Sequence, residues 1–524
     1  MTAARRWRRP TLAGTAAAGA LGAAAILAPA GLATQLPQRT FPVTPPFVGP
    51  STGAAISTDG GSIAFDAAGN VYLSSILTGA SRLISAGPGG TPGNAPSSAP
   101  VVSADGGVVA FVSTASNLGP GDTNGIADVF ARAGAGPVEN LSLAAAAAGG
   151  GPADGPSSEP AISADGRLVV FASKADDLVP GDHNGVSDVF LRDRQAGTTV
   201  RVSVARGGGE ANGPSTTPAI SADGRVITFA STATNLMPPD RNGVGDVFVR
   251  VPSTDLTERV SVSSSGQAQN AAVAAPFTQI SSVSSDGRLV AFDSNATNLV
   301  TGEDPRPRTN VFIRDRRRHS TKLISQDNAG FEGNNDSFAP FITPTGLYVS
   351  FDSFARNLAP GGGPRANVFV RDLNLKTTAT VNVAPDGSAP GPELGRDPLT
   401  RPSLSGDGTL ATFISSAANL TGNRSGVPGV FLRLLTPPRG VLQGRPPPRG
   451  PARRLSVTVG ADDPAATIFE CRIDRALPFA CPRGRLRLPA LSVGTHVLLV
   501  RAGGPGLLYD PLGIRVTLHV TSRG

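Results

Sequence analysis

Residues 161–191 read AISADGRLVVFASKADDLVPGDHNGVSDVFL, and residues 219–249 read AISADGRVITFASTATNLMPPDRNGVGDVFV. A third copy, VVSADGGVVAFVSTASNLGPGDTNGIADVFA, occupies residues 101–131. Looser copies surround Phe65, Phe292, Phe351 and Phe413. Aligned on that phenylalanine, the seven copies include Phe111, Phe171 and Phe229 and are spaced 46 to 63 residues apart. A period of this size means stacked supersecondary units, each unable to bury its apolar face alone.

Each copy reads as a string of short strands. In residues 161–204 the runs are AIS, RLVVFAS, DVFLRD and TTVRVSV. Asp165-Gly166, Asn184-Gly185 and Gln195-Ala196-Gly197 separate them. Asp-Gly and Asn-Gly tolerate positive φ and favour tight antiparallel hairpins. Four antiparallel strands, repeated seven times, is the pattern of β-propeller blades. The middle runs are rich in Val and Phe, as expected of strands covered on both faces by neighbouring blades. The expected fold is therefore all-β, a seven-bladed propeller over residues 39–435, with six blades as the alternative. The last copy lacks a fourth run, and residues 39–44 resemble a lone fourth strand. Pairing of the two would close the ring and cover an open edge.

The phrase S-x-D-G-R-x-V-x-F-x-S, followed by N-L and then N-G-x-x-D-V-F-x-R-D, resembles the TolB-type, WD-like propeller repeat of secreted bacterial proteins. The resemblance covers most of the chain. It implies a binding platform, a scaffold or the non-catalytic half of a peptidase, because fold alone does not fix function. In the copy around Phe351, Thr345-Gly346 replaces Asp-Gly.

Residues 1–33 carry Arg5, Arg6, Arg8 and Arg9, then an Ala/Leu/Gly-rich run and small residues near Ala30 and Ala33. This is a signal-peptide layout, with an uncleaved membrane anchor as the alternative. It implies a secreted or envelope-associated chain with no membrane span once the signal is removed. The net charge of +7 comes almost wholly from arginine, with Lys174, Lys322 and Lys376 the only lysines. Abundant Ala, Gly and Pro alongside it read as base bias in the coding sequence, so no nucleic-acid partner is expected. The run Arg316-Arg317-Arg318-His319 reads as a solvated turn, with an anionic partner as the alternative.

Residues 436–453 form a Pro/Arg-rich linker, extended at Pro446, Pro447 and Pro448. Beyond it, residues 454–524 contain ATIFECRIDRALPFACPRGRLRLPALSVGTHVLLVRA. This resembles small bacterial immunoglobulin-like modules, matched at Phe469, Cys471, Asp474, Phe479, Cys481, Leu491, Gly494, His496, Val500, Arg501 and Ala502. The expected unit is a small β-sandwich. Cys471 and Cys481 are the only cysteines, and in an exported chain they are expected to bond to each other.

A catalytic triad needs a histidine beside an activated nucleophile. The four histidines, His183, His319, His496 and His519, lie in no recognisable catalytic motif. Gly49-Pro50-Ser51-Thr52-Gly53 fits the nucleophile-elbow spacing but lacks the strand-turn-helix context. No catalytic residue is assigned, and the chain is expected not to be an enzyme.

The turn Asp-x-Asn-Gly-x-x-Asp is the chemical candidate. It occurs as Asp122/Asn124/Asp128, Asp182/Asn184/Asp188 and Asp240/Asn242/Asp246. Oxygen ligands at this spacing, with a glycine at the bend, resemble part of a calcium loop, including those of FG-GAP propellers. Proline stands where the first ligand would be, at Pro120, Pro180 and Pro238. Turn chemistry alone also accounts for these residues, so no cofactor is required and calcium is the alternative. These turns and the long blade-to-blade connections share one face, where binding on a rigid scaffold usually lives. Two function classes remain. One is a monomeric binding platform for a protein, peptide or cell-envelope glycan. The other is a secreted hydrolase or lyase using the propeller channel.

Overall fold

A computed structural model of the chain describes residues 40–44 and 49–521, apart from residues 120–121, 147–148, 239, 272–278, 303–305, 364–365, 385–387, 392–400, 421–426, 436–439, 443–449, 452–455, 462–467, 475, 477–478, 482–483, 489–490 and 504–513. The expected signal segment, residues 1–33, lies outside the described residues. Seven four-stranded antiparallel sheets form the propeller. The first consists of strands Ala54–Ile56, Ser62–Ala67, Asn70–Ser75 and Ser81–Leu83. The third, built from the stretch quoted first, consists of Ser157–Ile162, Leu168–Ser173, Asp188–Asp193 and Thr198–Arg201. The chain is a seven-bladed propeller, and the six-bladed alternative is excluded.

The repeated residues each have a mechanical reason. Phe171 on the second strand is paired in register with Phe190 on the third, and their rings stack 6.0 Å apart. The same stack recurs as Phe111–Phe130, Phe229–Phe248 and Phe413–Phe431. Phe171 is fully buried against Ala110, Val129 and Ala131 of the preceding blade, so the core lies between blades. The Ser-x-Asp-Gly phrase is a self-bonded turn. Ser163 Oγ donates to Asp165 Oδ1 at 2.6 Å, and Asp165 Oδ1 accepts the Arg167 N–H at 3.0 Å. Gly166 supplies the left-handed backbone there, with φ of +70°. The Asn-Leu phrase is a loop latch. Asn235 Oδ1 accepts the Asn212 N–H, and Asn212 Oδ1 accepts the Thr234 N–H. This ties the second-to-third connection to the blade-to-blade loop, so both lie on one face.

The ring closes as the missing strand requires. Thr40–Pro42 pairs antiparallel with Gly429–Leu434, beside Leu410–Ser415 and Ser403–Leu404. The seventh blade thus draws its outer strand from the other end of the chain.

The C-terminal unit has two sheets. One holds Gly440–Leu442, Ser456–Ala461 and Gly484–Arg487. The other holds Gly450–Pro451, Ile514–Thr521, Gly494–Gly503, Ile468–Ile473 and Phe479–Cys481. Val459 and Leu486 of the first pack with Phe469, Leu498 and Val500 of the second. The stretch read as a linker therefore supplies two short strands, because glycine and apolar residues flank its proline run. Cys471 and Cys481 form a disulfide across adjacent strands. His496 Nδ1 lies 2.7 Å from Asp474 Oδ2, which raises the imidazole pKa and lowers that of the carboxyl.

Candidate functional site

The first strand of every blade faces the propeller axis. Together they line a channel cavity of about 280 Å³. Its wall is mainly small and apolar, including Val101, Ile162, Ile220, Phe341 and Pro402. Among the described residues, Arg401 is the one charged residue lining it.

The two ends of the channel differ. At the Asp-Gly end, backbone hydrogen bonds run from blade to blade. Asp59 N–H donates to Ala104 O, Ala104 N–H to Ala164 O and Ala164 N–H to Ala222 O, at 2.9, 2.9 and 3.0 Å. Ser285 N–H donates to Pro344 O, and Gly406 N–H to Thr58 O. A side chain at Gly406 would not fit, since its Cβ would lie 2.5 Å from Thr58 Cγ2. This belt ties adjacent blades together and narrows that end.

The other end lies on the long-loop face and is strained. Ala99, Glu159, Thr217, Ala339 and Arg401 all precede a proline and have φ between 40° and 55°. In the blades of the first four, the pairing register breaks at this point or beside it, as Ser158 and Ala161 show. Left-handed backbone at a non-glycine residue costs on the order of 1–3 kcal/mol, and such strain clusters at functional sites. Carboxylates hold the strained backbone. Glu159 Oε2 accepts the Thr217 N–H at 2.6 Å, Asp293 Oδ2 the Ala339 N–H at 2.9 Å, and Asp352 Oδ2 the Arg401 N–H at 3.3 Å. In the first blade Asp66 Oδ1 accepts the Thr52 and Gly53 N–H groups, where the backbone is not left-handed. Asp293 also accepts the Ile280 N–H at 2.7 Å and is completely buried. Burial pushes its pKa up to about 7, against the pull of these N–H groups and of Arg401. The Arg401 side chain is exposed and makes no hydrogen bond or ion pair with the described residues. The mouth therefore presents one available guanidinium above an apolar channel.

The Asp-x-Asn-Gly turns occupy the same face, farther out. In the third blade, Asn184 Nδ2 donates to Asp188 Oδ2 and to Ala211 O, and Asn184 Oδ1 caps the Val186 N–H. In the fourth, Asn242 repeats this with Asp246, Gln269 O and Val244. These contacts tie the hairpin to the next loop. Asp182 and Asp188 face Arg201, while Asp240 and Asp246 face Arg259. Burial raises the pKa of Asp182 to about 6, opposed by Arg201. In the second blade, Asp122 and Asp128 have no arginine beside them among the described residues, and burial raises the pKa of Asp128 to about 6. No group of three or more His, Cys, Asp or Glu side chains able to share a metal ion occurs among the described residues.

A larger groove, about 770 Å³, opens on the rim between the fifth and sixth blades and includes Arg318, Lys322 and Lys376. Its inner cations are already engaged: Arg288 pairs with Asp315 at 2.5 Å, and Arg371 donates to Gln326 O. Arg318 is largely exposed and lies 3.9 Å from Asp315. This groove is bigger than the channel and includes one left-handed non-glycine residue, Lys376 with φ of 58°, but it has no ring of such residues and no convergence of blades. The channel mouth is the stronger candidate.

No family model matches the chain, and no curated protein matches its sequence. Solved structures do. An oligogalacturonate lyase from Vibrio parahaemolyticus is 10% identical, covering 76% of this chain and 93% of that one, with a TM-score of 0.45. A chain described as TolB from Agrobacterium tumefaciens is 17% identical, covering 54% and 86%, with a TM-score of 0.33. A puromycin-hydrolyzing peptidase from Mycobacterium tuberculosis is 15% identical, covering 79% and 55%, with a TM-score of 0.41. In fold, the chain resembles TolB-like propellers. The expectation that it is not an enzyme is corrected by this set, which includes a lyase and a peptidase. Scarce histidine and the lack of a catalytic motif do not separate this architecture from enzymes.

Proposed function

We propose that this is an extracytoplasmic propeller that receives a carboxylate-bearing segment of a peptide or glycan at the channel mouth. The observation that carries the reading is Arg401, an available guanidinium on a strained bulge above an apolar cavity. A guanidinium recognises a carboxylate with two parallel hydrogen bonds. The apolar wall would bury the adjoining part of the ligand. The disulfide supports an oxidising compartment.

A second reading, a hydrolase or lyase at the same mouth, is favoured by Asp293. Its carboxyl holds a proton near neutral pH and interacts with Arg401. A group that titrates near the working pH suits general acid–base chemistry. Asp293 would have to gain access to substrate for this role, since it is buried in the free chain.

The test is a screen of the full chain against peptides and oligosaccharides with and without free carboxylates, monitored for both binding and new products. Saturable binding confined to carboxylated ligands supports recognition. Products that vanish with Asp293→Asn support turnover. Equal binding of neutral and carboxylated ligands would overturn the role given to Arg401.

A further inference from the structure

In the third and fourth blades, two buried aspartates share one guanidinium. Arg201 Nη1 lies 2.8 Å from Asp182 Oδ1 and 3.7 Å from Asp188 Oδ2. Arg259 lies 3.2 Å from both Asp240 and Asp246. The equivalent position in the second blade, two residues before the fourth-strand serine, holds Asn140. Asn140 brings no charge, and its Oδ1 accepts the Ser142 N–H at 2.9 Å. Asp122 is 4% exposed, yet neither of its carboxylate oxygens has a partner within hydrogen-bond distance, the nearby Asn124 N–H making only a looser contact. The nearby Asp128 is fully buried. One of its oxygens accepts the Ser142 hydroxyl at 2.6 Å, and the other faces the Asn124 amide at 3.4 Å.

Buried carboxylates are ordinarily paired or bound to a metal. Here the pair has kept its place while its cation has been replaced. We propose that the second blade binds one hard divalent cation of the calcium class between Asp122 and Asp128, in the position that arginine fills in the next two blades. The donors are all oxygen, which suits calcium rather than zinc. The third and fourth blades do not bind, because Arg201 and Arg259 already neutralise their aspartates.

The experiment is calcium titration of the full chain by calorimetry, after exhaustive chelation, with melting curves in parallel. Wild type should take up one equivalent and melt higher in calcium than in chelator. Asn140→Arg, which installs the guanidinium of the neighbouring blades, should take up none and melt at the same temperature in both. Asp122→Asn, which keeps shape but removes a charge, should also lose uptake, and it decides the matter if Asn140→Arg fails to fold. No saturable uptake by wild type would mean that a shared proton neutralises the pair, and would overturn the proposal. Undiminished uptake by Asn140→Arg would place the ion elsewhere and overturn it equally.

Discussion

The Arg433 guanidinium donates to Thr40 Oγ1 at 2.6 Å, joining residues 393 positions apart across the closure of the ring. Both residues are fully buried, and Thr40 Oγ1 passes the hydrogen bond on to Val383 O in the sixth blade. A charged donor buried at a seam depends on its acceptors. Thr40→Val keeps the shape and removes the hydroxyl. It should lower stability by about 1–3 kcal/mol, the usual cost of losing a partner to a buried charged group. The check is urea unfolding, where the midpoint should fall with the slope unchanged. An unchanged midpoint would mean that the closing strand is held by its backbone pairing alone.

Asp293 gives the propeller a pH dependence of definite sign. Its folded pKa, about 7, lies above the ordinary carboxyl range, so the folded state holds a proton that the unfolded chain releases. Its contribution is therefore most favourable at low pH and is lost as pH rises from about 4 to 7. Asp293→Asn removes the titration. The stability difference, wild type minus variant, should fall across that window by on the order of 4 kcal/mol and stay level above it. Unfolding midpoints at half-unit pH steps would show it. A difference that is flat across the window would remove Asp293 as the titrating group.

The Cys471–Cys481 bond should matter to one unit only. It closes a loop of ten residues in the C-terminal sandwich. Chain-entropy reasoning gives about 3 kcal/mol for a loop of that size. Cys471→Ser with Cys481→Ser should therefore lower the melting of the sandwich and leave the propeller transition in place. Calorimetry resolves the two. Equal loss in both transitions would mean that the units unfold together.

Much of this fold can be read before any coordinates. The Phe171 and Phe190 positions recur because cross-strand ring stacks are needed in every blade, and the truncated last copy points to the strand at Thr40. What escapes is the mouth. A residue before proline is ordinarily extended, so nothing in Glu159-Pro160 or Arg401-Pro402 announces left-handed backbone. The carboxylates that stabilise it come mostly from the preceding blade, 46 to 58 residues away. Arg401 also sits in the least regular copy. Arg201 and Arg259 were legible in principle, since aligning the fourth strands puts Asn140 in their column. An arginine near a turn reads as a solvated charge, however, until it is seen to be about a tenth exposed between two aspartates.

The central claim is that the channel mouth is the recognition site and that Arg401 is its anchor. The most direct measurement is the affinity of one carboxylated ligand for wild type, Arg401→Ala and Arg318→Ala, each at low and moderate salt. Losing a charge-assisted hydrogen bond costs about 1.5–3 kcal/mol, or roughly ten- to a hundredfold in affinity. Arg401→Ala should show that loss together with a weaker dependence on salt, while Arg318→Ala, on the rim groove, binds as wild type does. Wild-type affinity in Arg401→Ala, with the loss appearing in Arg318→Ala instead, would move the site to the rim and contradict the account.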